Sequence, residues 1–293
     1  MFKTRNMNFI YLLIFAISFA MNPSLQAKPF NQLDRVVFKN ASGVDLNIHI
    51  IKPDRWVQSD QRPAIVFYYG GGWRNAYLTA FESHARYYAS QGLVCFIAEY
   101  RVFNDHGTLP FDCVIDAQDS FAFVRNNAKK FGINPNMIIA SGGSAGGHLA
   151  ACLGTVEDDR NGTASKPNAM VLFNPRVIVD PENPQYAFVQ ELGAEAIEIS
   201  PYHHVDKDTP PCIIYHGTSD DLVPYEDSVL FHQKLIDIGI KSSIELFENR
   251  EHSFFYGNKE TPGYAMRGED FQKTLDLTDS FLRGLTFIPD LKD

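Results

Sequence analysis

The sequence predicts an α/β fold: about eight mostly parallel strands, helices on both faces of the sheet, and a small lid-like insertion. Three observations lead there. Short, almost wholly apolar runs such as PAIVFYY (63–69), LVCFIAEY (93–100) and AMVLFNP (169–175) recur along the 293 residues and suit strands covered on both sides. Segments with helical periodicity alternate with these runs, which is the pattern of a parallel sheet wrapped by helices. Two stretches break the alternation: 156–167, which is polar, and 177–208, rich in Pro, Glu and His. The second has the character of a lid or substrate wall.

In chain order, residues 35–39 and 44–51 read as a hairpin turned by Ala-Ser-Gly, an antiparallel start to the sheet. Residues 63–69 form the first fully buried strand, followed at once by GGGW. A helix over 79–91 ends at Gly92, and 93–100 is the next buried strand. Periodicity predicts a helix over 111–131, with Gly132 as its C-terminal cap. The strand at 137–140 leads into a helix at 145–154. Strands at 169–175, 211–217 and 243–248 follow, with helices at 225–239 and 269–285. No repeat of 20–50 residues is visible, which excludes a solenoid or propeller.

At the N-terminus, Lys3 and Arg5 precede an uncharged run, MNFIYLLIFAISFA (7–20), and the small residue Ala27 follows it. This is the pattern of a secretory signal peptide over 1–27, leaving 28–293 as a single domain in a secreted or periplasmic location. The run is shorter than the roughly 20 residues a spanning helix needs, so no stable membrane span is expected after cleavage. The whole chain carries a formal net charge of −9, and the leader holds two positive charges and no negative ones. Such an acidic chain without basic clusters is not expected to bind nucleic acid.

Export would permit disulfides among Cys95, Cys113, Cys152 and Cys212. Yet Cys95 and Cys212 lie in apolar runs and Cys152 on a small-residue helix, so all four are expected to be buried free thiols. No close pair has zinc-ligand spacing, and no metal or organic cofactor is expected.

The stretch MIIASGGSAGGHLAA (137–151) carries the chemistry. G-G-S-A-G fits G-x-S-x-G, between a buried strand and a helix. A strand that turns straight into a helix holds its central residue in a tight backbone and projects the Ser144 hydroxyl from the sheet's carboxyl edge. The helix N-terminus beneath favours negative charge. Gly142 and Gly146 are assigned to the turn, Gly143 and Gly147 to close packing. The motif lacks the Lys-Ser/Thr ending of a P-loop and the spacing of a dinucleotide site.

Serine needs a base to take its proton, and the base needs a carboxylate. The loop after the 211–217 strand offers Asp220 and Asp221. Downstream, His232 lies within an amphipathic helix, whereas His252 follows a strand in ENREHSFF, the loop position a base requires. His203 and His204 precede the acid and lack a third metal ligand, and His148 reads as a packing residue. The three glycines of YYGGGW (68–73) expose backbone N–H groups, and the Ala145 N–H adjoins the serine; together they suit a developing oxyanion.

The ordered set GGGW, EYR, GGSAGGHLAA, HGTSDDLVP and EHSFF resembles α/β-hydrolase-fold serine esterases of the hormone-sensitive-lipase and carbohydrate-esterase-like (acetyl or feruloyl esterase) branch, over about residues 63–287. The resemblance implies Asp220, the fifth position of H-G-x-x-D-x-x-V-P, as the acid and His252 as the base. It implies an oxyanion hole of Gly71, Gly72 and Ala145. Tyr69 departs from the His that usually opens the H-G-G-G loop, and Arg101 and Asp116 match positions that brace the fold. The expected reaction is hydrolysis of a carboxylic ester through a Ser-His-Asp acyl-enzyme, with a small-molecule or polysaccharide ester as substrate and acetyl or feruloyl as the acyl group. A general short-chain carboxylesterase, a prolyl-oligopeptidase-like serine peptidase and a non-catalytic binding protein on the same fold are the alternatives.

Overall fold

The computed structural model describes residues 28–179, 193–256 and 268–288. The leader at 1–27 and residues 180–192 of the predicted insertion lie outside the described residues. One eight-stranded sheet organises the rest, in the order β1-β2-β4-β3-β5-β6-β7-β8. β1 (Asp34–Ala41) and β2 (Val44–Ile51) form the expected hairpin, turned by Ser42 and Gly43, both at positive φ as a two-residue hairpin loop requires. β2 runs antiparallel to β4 (Val94–Ala98). β3 (Arg62–Tyr68), β5 (Ile133–Gly143), β6 (Ala169–Phe173), β7 (Cys212–Gly217) and β8 (Ser242–Phe247) pair in parallel.

Among the described residues five longer helices cover this sheet: α1 (Glu82–Ser90), α2 (Pro110–Asn126), α3 (Ala145–Thr155), α4 (Tyr225–Asp237) and α5 (Gly268–Arg283). Adjacent residues on a strand point to opposite faces, which assigns each helix to its side. Phe67 stacks on Phe81 and Tyr88 at α1, whereas the Tyr68 hydroxyl donates to the Ala117 carbonyl of α2. Tyr215 reaches Thr274 and Thr278 of α5, whereas His216 meets Ser228 of α4. A hydrogen bond from the Tyr87 hydroxyl to Asp279, 2.8 Å long, joins α1 to α5 on their shared face.

Two boundaries differ most from the sequence reading. β5 begins at Ile133, where it pairs with Arg62 across an irregularity in the register; the polar run Asn134–Asn136 hides this start from a hydrophobic pattern. α2 stops at Asn126 instead of continuing to 131. The Asn127 side chain donates to the Phe123 carbonyl at 2.8 Å, a local bond that competes with the helix ladder, and a separate short turn (Ala128–Phe131) ends at Gly132.

The brace expected of Arg101 and Asp116 is present. Arg101 grips the fully buried Asp116 carboxylate through Nε at 2.8 Å and Nη2 at 3.0 Å, and Lys39 of β1 joins at 2.7 Å. All four cysteines are buried and free. Of the stretch at 177–208, the described part after residue 192 winds through 3-10 turns at Gly193–Ile199 and Pro201–His204. Among the described residues no helix is long and apolar enough to cross a membrane.

Candidate active site

The carboxyl ends of β3 and β5 lie at the point where strand order reverses, the usual position of a crevice in an open α/β sheet. β5 passes through Ser144 directly into α3, forcing Ser144 to φ 56° and ψ −120°. A non-glycine residue pays roughly 1–3 kcal/mol for such a backbone. Its surroundings fix it there: the Ser144 N–H donates to the Phe173 carbonyl at 3.0 Å, and the Ser144 carbonyl accepts the His148 N–H at 2.9 Å. None of the four flanking glycines has positive φ. Gly142 and Gly146, assigned from sequence to the turn itself, instead permit close approach. A Cβ on Gly146 would collide with the Tyr68 and Tyr69 carbonyl oxygens, and one on Gly142 with the Gly146 carbonyl.

The loop after β3 faces this turn. Gly71 and Gly72 take φ of 132° and 63°, conformations that favour glycine. Among the described residues, the N–H groups of Gly71, Gly72 and Ala145 donate to no protein acceptor. These three residues, Ser144 and His252 line one cavity of about 710 Å³.

Tyr69, the departure from the usual histidine, forms a reciprocal pair with Tyr100. The Tyr69 hydroxyl donates to the Tyr100 carbonyl at 2.9 Å, the Tyr100 hydroxyl donates to the Tyr69 carbonyl at 2.8 Å, and the rings stack at 4.3 Å. The pair ties the start of the glycine loop to the end of β4. Trp73, at the loop's far end, donates through Nε1 to His148 Nδ1 at 3.3 Å. His148 Nε2–H in turn donates to the Ile199 carbonyl at 2.6 Å. His148 thus links the loop to α3 and to the turn before Ser200, and burial pushes its pKa down to about 4.

Of the two acids after β7, Asp220 contacts the histidine. His252 Nδ1–H donates to Asp220 Oδ2 at 2.7 Å, while Oδ1 accepts the N–H groups of Leu222 and Val223, each at 2.9 Å. The Asp220 side chain is fully buried. Burial alone would raise its pKa, but hydrogen bonds from His216 and His252, the charge of His252 and the Val223 N–H outweigh burial and hold it well below the usual carboxylate range. Asp221 is exposed at the cavity wall.

Two neighbours were not singled out from sequence. His216 lies buried on β7 with Nε2 3.0 Å from the Val223 carbonyl and 3.2 Å from Asp220 Oδ2. Both are acceptors, so Nε2 carries the proton and Nδ1 accepts the Ser228 hydroxyl at 2.7 Å. The signal was available, since His216 opens HGTSDD. Asn174, just past β6, has its Nδ2 3.2 Å and 3.3 Å from the two ring nitrogens of His252. Its only trace in the sequence is one polar residue closing an apolar strand.

Among the described residues, His252 is hydrogen-bonded to Asp220 and in contact with the Asn174 amide, and no hydrogen bond joins it to Ser144. Such bonds are often long before substrate binds. His203 and His204 lie outside the cavity, bonded to Ser200 and to the Ile197 carbonyl. His232 meets the Ser242 hydroxyl. Among the described residues no group of three His, Cys, Asp or Glu side chains could hold a metal ion.

Comparison with known proteins adds relatives to this geometry. The BD-FAE family model matches residues 49–187 and 185–235. A solved structure titled Thermogutta terrifontis esterase 2 phosphonylated by sarin superposes with a TM-score of 0.83 at 36% identity, covering 90% of this chain and 99% of that one. Another, with propionate bound, gives 0.80 at 38% identity, over 89% and 97%. Among curated proteins, an acetylxylan esterase of Xylanibacter ruminicola is 29% identical over 66% of this chain and 41% of its own length. Esterase LipC of Mycobacterium tuberculosis is 29% identical over 62% and 51%. The chain therefore spans about half the length of these curated relatives.

Proposed function

The chain belongs to the BD-FAE family, among the α/β-hydrolase serine esterases of the hormone-sensitive-lipase-like branch, and from that premise we propose that it hydrolyses carboxylic esters with Ser144 as nucleophile. One observation carries the reading. Ser144 and His252 line one cavity together with Gly71, Gly72 and Ala145, whose N–H groups donate to no protein acceptor among the described residues.

In the proposed reaction, His252 Nε2 takes the Ser144 hydroxyl proton as Oγ attacks the ester carbonyl. Asp220 accepts from Nδ1 and stabilises the imidazolium. The glycine loop and Ala145 donate to the oxyanion, each donor worth about 10²–10³ in turnover. The intermediate collapses, the C–O bond to the alcohol breaks, and the leaving oxygen takes the proton from His252. Water then adds to the acyl carbonyl, giving its proton to His252, and the acid departs as Ser144 recovers its proton.

For substrate, we propose a short acyl group, acetyl or feruloyl, on a polysaccharide. The acetylxylan esterase relative supports that reading, and the leader-like N-terminus supports a secreted or periplasmic location. A general short-chain carboxylesterase is the competing reading, favoured by the propionate- and butyrate-bound relatives. A panel of p-nitrophenyl esters and acetylated and feruloylated oligosaccharides separates the two. Ser144→Ala should lower turnover by about 10⁴-fold or more and abolish labelling by a fluorophosphonate probe; retained activity would sink the assignment of the nucleophile.

A further inference from the structure

We propose that Asn174 is a positioning residue for His252, holding the imidazole by one face while Asp220 holds it by its edge. The inference rests on the reading of Ser144 as nucleophile and His252 as base.

The geometry is specific. Asn174 Nδ2 is almost equidistant from Nδ1 and Nε2 of His252, at 3.2 and 3.3 Å. An atom equidistant from both nitrogens and in the ring plane would collide with the ring carbons between or behind them, so the amide nitrogen lies over the ring face. The contact is of the N–H to π kind, and it leaves the in-plane lone pair of Nε2 for the Ser144 proton. Asp220 fixes the ring at Nδ1 but leaves it free to rock about that bond; a group over the face removes the rocking.

Asn174 is itself held, at some cost. It is fully buried, its backbone has φ 30°, and its Oδ1 has no partner among the described residues. A buried carbonyl without a partner is left desolvated at a cost that packing alone does not repay. Its N–H donates to the Tyr215 carbonyl on β7 at 2.7 Å, and the preceding carbonyl, Phe173, accepts the Ser144 N–H at 3.0 Å. Asn174 therefore bridges the strand of the nucleophile, the strand leading to the acid, and the base. A strained residue with an orphaned carbonyl at that crossing is better explained by the ring it touches than by packing.

The test uses the full-length protein on p-nitrophenyl acetate, with wild type and Ser144→Ala measured first. If wild type is inactive, or Ser144→Ala remains active, it is the nucleophile reading that fails. With that established, Asn174→Ala should lower kcat about ten- to a hundredfold with KM within twofold. The near-isosteric Asn174→Asp puts a carboxylate over the ring and favours the imidazolium, so the acidic limb of kcat/KM should move up by about one pH unit. The other charged or titratable groups around His252 are unchanged in that variant: Asp220 and His216 behind Nδ1, and Asp221, Arg176 and Tyr256 around the cavity. A kcat for Asn174→Ala within twofold of wild type overturns the proposal. So does an unmoved acidic limb in Asn174→Asp, because a purely structural loss would leave the limb in place. If Asn174→Ala does not fold, the limb of Asn174→Asp decides alone.

Discussion

Asp220 and Asp221 are chemically identical neighbours with opposite fates. Asp220 is withdrawn from water and accepts four hydrogen bonds, two from backbone N–H groups and two from histidines. Asp221 faces solvent at the cavity wall. Replacing a carboxylate that orients a histidine by its amide can leave the shape intact yet present the wrong hydrogen-bonding partner to Nδ1. Asp220→Asn should therefore cut kcat by about 10³- to 10⁴-fold, while Asp221→Asn stays within a few-fold of wild type. Steady-state kinetics on one ester measures both. Equal losses in the two variants would mean that the acid has been misassigned. From residues alone the pair could not be separated; the H-G-x-x-D pattern favoured Asp220, and the physical cause of the difference is the Asx turn that points Oδ1 at Leu222 and Val223 N–H and so turns Oδ2 towards His252.

The glycine loop, the serine turn and α3 act as one packed unit. The Gly146 backbone lies against the Tyr68 and Tyr69 carbonyls with no room for a methyl group, so Gly146→Ala must drive α3 away from β3. Overpacking of that kind costs about 1–3 kcal/mol, and here it also moves Ala145 and Ser144 relative to Gly71 and Gly72. The expected result is a lower unfolding midpoint with turnover lost out of proportion, read by denaturant titration beside kinetics. Tyr100→Phe probes the loop's other end: the Tyr69 carbonyl would lose its donor, costing about 1–3 kcal/mol. Strands such as the one read at 63–69 and the helix stop at Gly92 were legible because burial on both faces and a positive-φ glycine leave direct marks on composition. The Tyr69–Tyr100 pair and the Asn174–His252 contact were not, because each joins residues distant in sequence through geometry that no local pattern encodes. The same holds for the early start of β5, which is set by its neighbour β3.

The molecule as a whole carries buried histidines that bear on its stability in acid. His84 of α1 sits among Phe67, Phe81, Phe173, Phe255 and Phe271, and among the described residues neither ring nitrogen has a hydrogen-bond partner. Burial pushes its pKa down to about 3, and that of His148 down to about 4, from an ordinary 6.5. The sign follows directly. Below pH 6.5 the unfolded chain takes up protons that these folded-state rings refuse, so each histidine removes up to about 1.4 kcal/mol of stability per pH unit. The loss from His148 is complete near pH 4 and that from His84 near pH 3; above 6.5 neither contributes a slope. Asp220, held low by its partners, acts in the same direction, but only below the ordinary carboxylate range. His84→Leu removes a ring that is unpaired in an aromatic cage and lies outside the cavity that holds Ser144. It should raise the urea midpoint at pH 7.5, since the unpaired nitrogens no longer need desolvating. It should also flatten the decline between pH 6.5 and 4.5, leaving the shares due to His148 and the less deeply buried His232, with esterase turnover at pH 7.5 unchanged. An identical decline in wild type and His84→Leu would overturn the reading of His84 as a ring kept neutral by burial.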